Sequence, residues 1–257
     1  MKHRVLSMVC AAVLLAAGAP AQPDVNRLTF EVASIRPGKP IDFGIVLPRP
    51  MPGGQRYFAA NSPLMLLVMS AYRITDSQIV GAPDWMINDP WDVDAKAERP
   101  STLGQLHKMF QTLLADRFKL RFHRETKELA AYVLSVDKSG SKLKLSDSTD
   151  PSDTPIRAGG RAFVGTTASM SDLCWSLTFL LGAPVVDRTE LDGFYNFTLD
   201  RSPPTPSLRP QEPALEGPDR NVDLITALRE QLGLKLEYRR APVEVFVIDH
   251  VERPTDN

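Results

Sequence analysis

Apolar and polar positions along this chain switch between two periods, and they do so in the same order twice. From Tyr57 a short strand leads to Asn61-Ser62-Pro63, where Ser62 suits a helix cap and Pro63 the first helical position. Leu64, Leu67, Val68, Ala71 and Tyr72 then recur at the spacing of one helical face. Ile79-Val80 runs into the turn Gly81-Ala82-Pro83. Trp91, Val93, Ala95 and Ala97 alternate with Asp92, Asp94, Lys96 and Glu98, the period of a half-buried strand. Pro100 and Ser101 end that strand. Leu103, Leu106, Phe110, Leu113 and Leu114 predict a second amphipathic helix. Phe118 to Arg124 alternates again, and Glu125 to Glu128 predicts a turn into a hairpin partner, Leu129 to Val136.

From Arg161 the order returns. Ala162-Phe163-Val164 reads as a strand, and Ser169 to Leu181 as a helix with Met170, Leu173, Cys174, Leu177 and Leu181 inward. Gly182-Ala183-Pro184 repeats the Gly81-Ala82-Pro83 turn. Tyr195, Phe197 and Leu199 alternate with Asn196, Thr198 and Asp200. Leu224 to Leu232 is a second helix, and Leu234 to Arg239 mirrors Phe118 to His123. Ala241-Pro242 is expected to turn the chain into Val243 to Ile248.

The expected fold class is therefore α+β, with two tandem copies of a strand-helix-strand-helix-hairpin unit. Helices are expected on one face of a mixed or antiparallel sheet, because Lys, Glu, Arg and Asp fill the other face of most strands. Residues 22–145 would form the first copy, with Phe30 to Ile35 as an added edge strand, and residues 161–257 the second. Three stretches interrupt the pattern. Residues 146–160, rich in Ser, Asp, Pro and Gly, read as a linker. Residues 202–219 read as a proline-rich surface loop, and 41–54 as another proline-punctuated loop.

The first residues set an expected compartment. Lys2, His3 and Arg4 precede an apolar run from Val5 to Ala17, and Ala19-Pro20-Ala21 offers small residues for cleavage after Ala21. That is the plan of a secretory signal peptide over residues 1–21. The run is shorter than the roughly 20 residues of a spanning helix, so the mature chain is not expected to be an integral membrane protein. A periplasmic or secreted location follows. Lys and Arg number 30 against 31 Asp and Glu, a net charge of −1. Removing Lys2 and Arg4 makes the mature chain more acidic. Both signs are interleaved throughout, which argues against nucleic acid as a partner. Cys10 leaves with the signal peptide, so Cys174 has no partner for a disulfide and reads as a buried small hydrophobe.

Candidate chemistry is sparse. Asp92 and Asp94 point the same way on their strand, near Asp84 and Asp89, and are the candidates for a carboxylate pair or cation site. Lys96 and Glu98 share that face, however, which makes it a solvated surface of mixed sign. The glycine and closing glutamate of a calcium loop are missing. His107, His123 and His250 have no metal-binding spacing, and no serine stands in a nucleophile motif. No catalytic residue, metal or cofactor is expected. Trp91 and Trp175 fall on inferred strand or helix positions, where core or near-core packing is expected. Trp85, which follows the Gly81-to-Asp84 turn, is the candidate for an exposed aromatic contact.

Several motifs together carry a resemblance: Phe30 to Pro37, Ile79 to Trp85, Leu113 to Leu120, Val186-Asp187-Arg188-Thr189 and Leu191 to Tyr195. Across nearly the whole mature chain, they resemble a family of uncharacterised secreted proteins expanded in Acidobacteria such as Solibacter. Some members of that family are fused to BlaR1-like membrane peptidases. The resemblance implies a periplasmic or secreted location and supplies no catalytic residue. The order of elements is also similar to the short N-terminal domains of secretins and TonB-dependent receptors, which bears on fold alone.

The leading expectation is a non-catalytic binding or sensing module of the cell envelope, with a protein or envelope component as partner. A hydrolase of cell-wall or polysaccharide material using Asp84, Asp92 and Asp94 is the first alternative. A soluble regulator of a membrane peptidase is the second.

Overall fold

A computed structural model describes residues 27–39, 44–148, 154–159, 162–200 and 222–255. The expected signal peptide, residues 1–21, and the expected loop at 202–219 lie outside the described residues. In chain order the elements are β1 Val32–Pro37, β2 Val46–Pro50, β3 Arg56–Pro63, α1 Leu64–Tyr72, β4 Ile79–Val80, α2 Trp85–Asn88, β5 Pro90–Lys96, α3 Leu103–Arg117 and β6 Arg121–Val136. They continue with β7 Lys144–Leu145, β8 Ile156–Gly159, β9 Ala162–Ala168, α4 Met170–Leu181, β10 Val185–Asp187, β11 Tyr195–Asp200, α5 Val222–Ala227 and β12 Leu234–His250. A π-turn, Leu228–Leu232, joins α5 to β12.

The α+β class holds, and the strands form three four-stranded sheets. The first, in the order β1-β5-β3-β2, is antiparallel throughout, with β1 at its edge. The third, β7-β11-β9-β8, is antiparallel as well. Between them runs the order β10-β6-β12-β4.

That middle sheet overturns the two expected hairpins. Glu125 to Glu128 is not a turn: β6 runs unbroken through it. Ala241-Pro242 is not a turn either, and β12 passes through it. The two long strands pair with each other, from Leu234 opposite Val136 to His250 opposite Arg121. Neither expected turn holds a Gly or Asn able to take a positive φ, so nothing local forces a reversal. Pro242 is tolerated because only β6 flanks β12 at that point; β4 pairs no nearer than Phe246.

Two short parallel strands then cross between the halves. β4 pairs with β12 at Phe246 and Val247, while β10 pairs with β6 from Tyr132 to Leu134. The two Gly-Ala-Pro triplets occupy different places here, since Gly81–Pro83 follows β4 and Gly182–Pro184 precedes β10.

Burial follows the sequence periods closely. In β5, Trp91, Val93 and Ala95 are buried and Asp92, Asp94 and Lys96 exposed. These residues share one core with Tyr57 and with Leu64, Leu67, Leu106, Phe110 and Leu114 of α1 and α3. A second core gathers Phe163, Leu173, Leu177, Phe197, Leu199 and Leu228. The long ribbon serves both: Phe246 belongs to the first core, and Tyr132, Leu134, Leu234 and Leu236 to the second.

Helix starts are fixed by local hydrogen bonds. Thr102 with Gln105 caps α3, and Ser169 with Asp172 caps α4, each as a reciprocal pair. Ser62 does not cap α1 as expected; its hydroxyl donates to the Val46 carbonyl at 2.8 Å. Ahead of α1 and α4 the backbone takes a left-handed step, at Asn61 (φ 50) and Thr167 (φ 47). In each case the strained N–H donates to a side chain on the neighbouring strand: Asn61 to Asp92 Oδ1 at 2.8 Å, Thr167 to Asn196 Oδ1 at 2.9 Å.

A cleft between the two halves as the candidate functional site

α1 and α4 each turn one stripe into a core and leave a second stripe free. On α1 the second stripe holds Leu66, Met69 and Ser70, with Arg73 as its left-handed C-cap; on α4 it holds Asp172, Trp175, Ser176 and Phe179. These stripes face a cleft of about 420 Å³, closed by Leu47 to Pro50 of β2, Leu103 and His107 of α3, and Pro155 and Ile156 by β8. The volume lies in the range of small-molecule sites, and the walls are mainly apolar and aromatic, as such sites usually are. Phe179 is 68% exposed and Leu47 44%.

At the floor, Arg73 Nη2 donates to Asp172 Oδ1 at 2.7 Å. Asp172 Oδ2 accepts from Ser169 N and Oγ, so the carboxylate is fully engaged. Arg73 Nε is buried with no acceptor. On the other side of Arg73 is a second cavity of about 480 Å³, where Cys174, Asp187 and Glu244 stand. Burial pushes the Cys174 thiol up to about 12, which keeps it a thiol and a poor nucleophile.

A short polar chain leads from the first core into the cleft. Ser70 Oγ donates its one proton to the Pro48 carbonyl at 2.8 Å. Tyr57 Oη stands 2.8 Å from Ser70 Oγ and 3.3 Å from His107 Nδ1. The consistent assignment has Tyr57 donating to Ser70 and His107 Nδ1–H donating to Tyr57, leaving Nε2 as an acceptor. Burial, with help from Arg73, lowers His107 to about 4, so the ring is neutral near pH 7. The arrangement is not a nucleophile with its base. A nucleophilic serine must give its proton to a base, and Ser70 gives it to a backbone carbonyl. What the arrangement offers at the cleft is hydrogen-bond donors and acceptors.

The residues singled out in the sequence lie elsewhere. Asp92 holds the Asn61 backbone, and Asp94 takes a two-pronged bond from Arg56 at 2.6 and 2.7 Å. That bond keeps the Asp94 carboxyl below the usual carboxylate range. Both face outward from the first sheet. Asp84 opens α2, where its carbonyl accepts from Asn88 Nδ2. Trp85 is half-buried at the edge of the first core and lies under the Arg253 guanidinium, 5.0 Å from its ring centre; Arg253 also pairs with Asp89 at 2.8 Å. A covered ring is a poor exposed anchor. Among the described residues no three His, Cys, Asp or Glu side chains converge as a metal site.

Sequence reasoning missed Arg73, His107, Trp175 and Phe179 as a group. One signal was available: Trp175 and Phe179 stand four apart on α4, off its inward stripe, as a second apolar row.

The fold and the cleft define a mixed α+β protein with a small-molecule-sized groove between α1 and α4. The chain belongs to the family described as protein of unknown function (DUF3738), whose model matches residues 65–251. Comparison with curated proteins and with solved structures returned no match. No helix among the described residues is long and apolar enough to cross a membrane.

Proposed function

We propose that this protein is a non-catalytic binding or sensing module of the cell envelope, that its halves are two copies of one unit, and that the cleft between them is its ligand site. The observation that carries the reading is the origin of the cleft's walls. Leu66, Met69, Ser70 and Arg73 on α1 match Asp172, Trp175, Ser176 and Phe179 on α4 at one constant spacing along the chain. Asn61 and Thr167, the two left-handed residues ahead of these helices, stand at that same spacing. A pair of identical ancestral units would place the same helical stripe on both sides of their shared axis. There the stripes would face each other and could diverge to fit a ligand.

Export rests on the charged start, apolar run and Ala19-Pro20-Ala21 of the leader. It agrees with the resemblance to secreted proteins of Acidobacteria, and it would place the ligand in the periplasm or outside the cell. The hydrolase reading gains nothing from the carboxylates, because Asp92 and Asp94 are held in structural bonds.

The test is thermal unfolding of purified protein in the presence of fractionated small molecules from envelope extract. A ligand that binds only the folded state raises Tm. At least one fraction should raise it in the wild type and fail to do so in Phe179→Ser. Fractions that act equally on both proteins, or none that acts at all, would remove the cleft as the site.

A further inference from the structure

We infer that the cleft selects amphiphilic monoanions, meaning molecules with an apolar body and a single carboxylate or sulfonate head, with Arg49 reading the head. The inference rests on the cleft being the ligand site and adds the chemical class of its occupant.

The argument is one of charge complementarity. Leu47, Met69, Trp175 and Phe179 supply apolar and aromatic wall, which favours an apolar body. Of the charged groups at the cleft, Arg73 and Asp172 neutralise each other at 2.7 Å, although Arg73 Nε keeps no acceptor, and the second Asp172 oxygen is taken by Ser169. His107 adds no charge near neutral pH. Arg49 is left. It stands exposed on β2 at the rim, and its side chain makes no ion pair or hydrogen bond among the described residues. A cleft of this composition carries one uncompensated positive charge beside an apolar wall. A planar guanidinium offers paired donors to carboxylate or sulfonate oxygens. A cationic amphiphile would meet Arg49 as a like charge. A neutral one would gain the wall and nothing more.

Three probes of equal chain length separate these terms: decanoate, 1-decanol and decyltrimethylammonium, each below its aggregation concentration. Binding is followed through Trp175 fluorescence, with Trp175→Phe as the background from Trp85 and Trp91. Decanoate should bind about tenfold more tightly than decanol, and the cation most weakly, with the preference shrinking as salt is added. Arg49→Glu should reverse the order of the two ions and leave decanol within about twofold. Phe179→Ser should weaken all three. Circular dichroism and Tm within a few degrees of wild type establish that each variant is folded. Equal binding of the three probes, or an order unchanged in Arg49→Glu, overturns the anion selectivity and leaves the cleft reading standing. Binding of no probe, or probes indifferent to Phe179→Ser, overturns both.

Discussion

Arg73 and Asp172 are 99 positions apart in sequence and 2.7 Å apart in space. The pair ties the C-terminus of α1 to the first turn of α4, and so joins the halves at the floor of the cleft. Arg73 reaches it from a left-handed cap (φ 57). Asp172 does two jobs at once, since it also receives the Ser169 N–H and hydroxyl at the start of α4.

This double duty makes the two partners unequal. Asp172→Ala loses both the cap and the ion pair and leaves Arg73 half-buried and unpaired; it should cost about 2–4 kcal/mol. Ser169→Ala, which loses only the cap, should cost about 1 kcal/mol. Urea unfolding of both variants checks the order, and equal costs would show that the inter-half bond contributes nothing.

Asp92 was a candidate for chemistry and is assigned here to backbone support. Its carboxylate accepts from the Asn61 N–H, the place that Asn196 fills for Thr167. Asp92→Asn keeps an acceptor and should change stability by less than about 0.5 kcal/mol. Asp92→Ala leaves a strained N–H without its partner and should cost about 1–2 kcal/mol. Should Asn prove as harmful as Ala, the negative charge itself would be needed.

Gly165 on β9 lies opposite Phe197 on β11, and a Cβ there would run into the Phe197 ring. Gly165→Ala should therefore cost about 1–3 kcal/mol by overpacking. Shortening the neighbour in a Gly165→Ala, Phe197→Leu double variant should recover part of that loss. A double-mutant cycle in guanidinium measures the recovery; strict additivity would mean the two side chains do not compete for space.

His107 predicts a pH dependence of definite sign. Its ordinary value is 6.5, and the folded protein lowers it to about 4. Between these values the unfolded chain takes up a proton that the folded chain refuses. Stability should fall as pH drops from about 6.5 towards 4, by up to about 1.4 kcal/mol per pH unit, and this residue contributes no slope above that window. The lowered carboxylates, Asp94 and Glu125 among them, begin to lose their contribution near their ordinary values of 3.8 and 4.5, at the acid end of this window. Unfolding free energies at pH 6, 5.5 and 5 follow His107, below the range above 6.5 in which His123, raised by Asp249 and Glu125, contributes a slope of opposite sign. His107→Phe should flatten the decline, and an unchanged slope would assign it to other groups.

The elements themselves were written in the periods. A period of two in Trp91 to Ala97 put Asp92 and Asp94 in water and the apolar residues inside, and the helical stripes of α1, α3 and α4 buried most of the residues their spacing named, with Tyr72, Leu103 and Leu181 half-buried. These features are local. They depend on which face of a strand or helix is apolar, and burial of that face is favourable whatever covers it.

Pairing and the cleft were decided at the level of tertiary structure. An alternating strand has two edges that hydrogen-bond equally well to many partners, so Phe118 to Val136 was compatible with a local hairpin as well as with the long ribbon to β12. Only the packing of both cores around the ribbon, with Phe246 in one and Leu134 in the other, selects the second. The cleft is less local still. It is made of residues that each helix leaves over after burying its main stripe, and their use appears only once α1 and α4 are set opposite each other. Periodicity names the face a residue lies on; the partner of that face is fixed by contacts far apart in the chain.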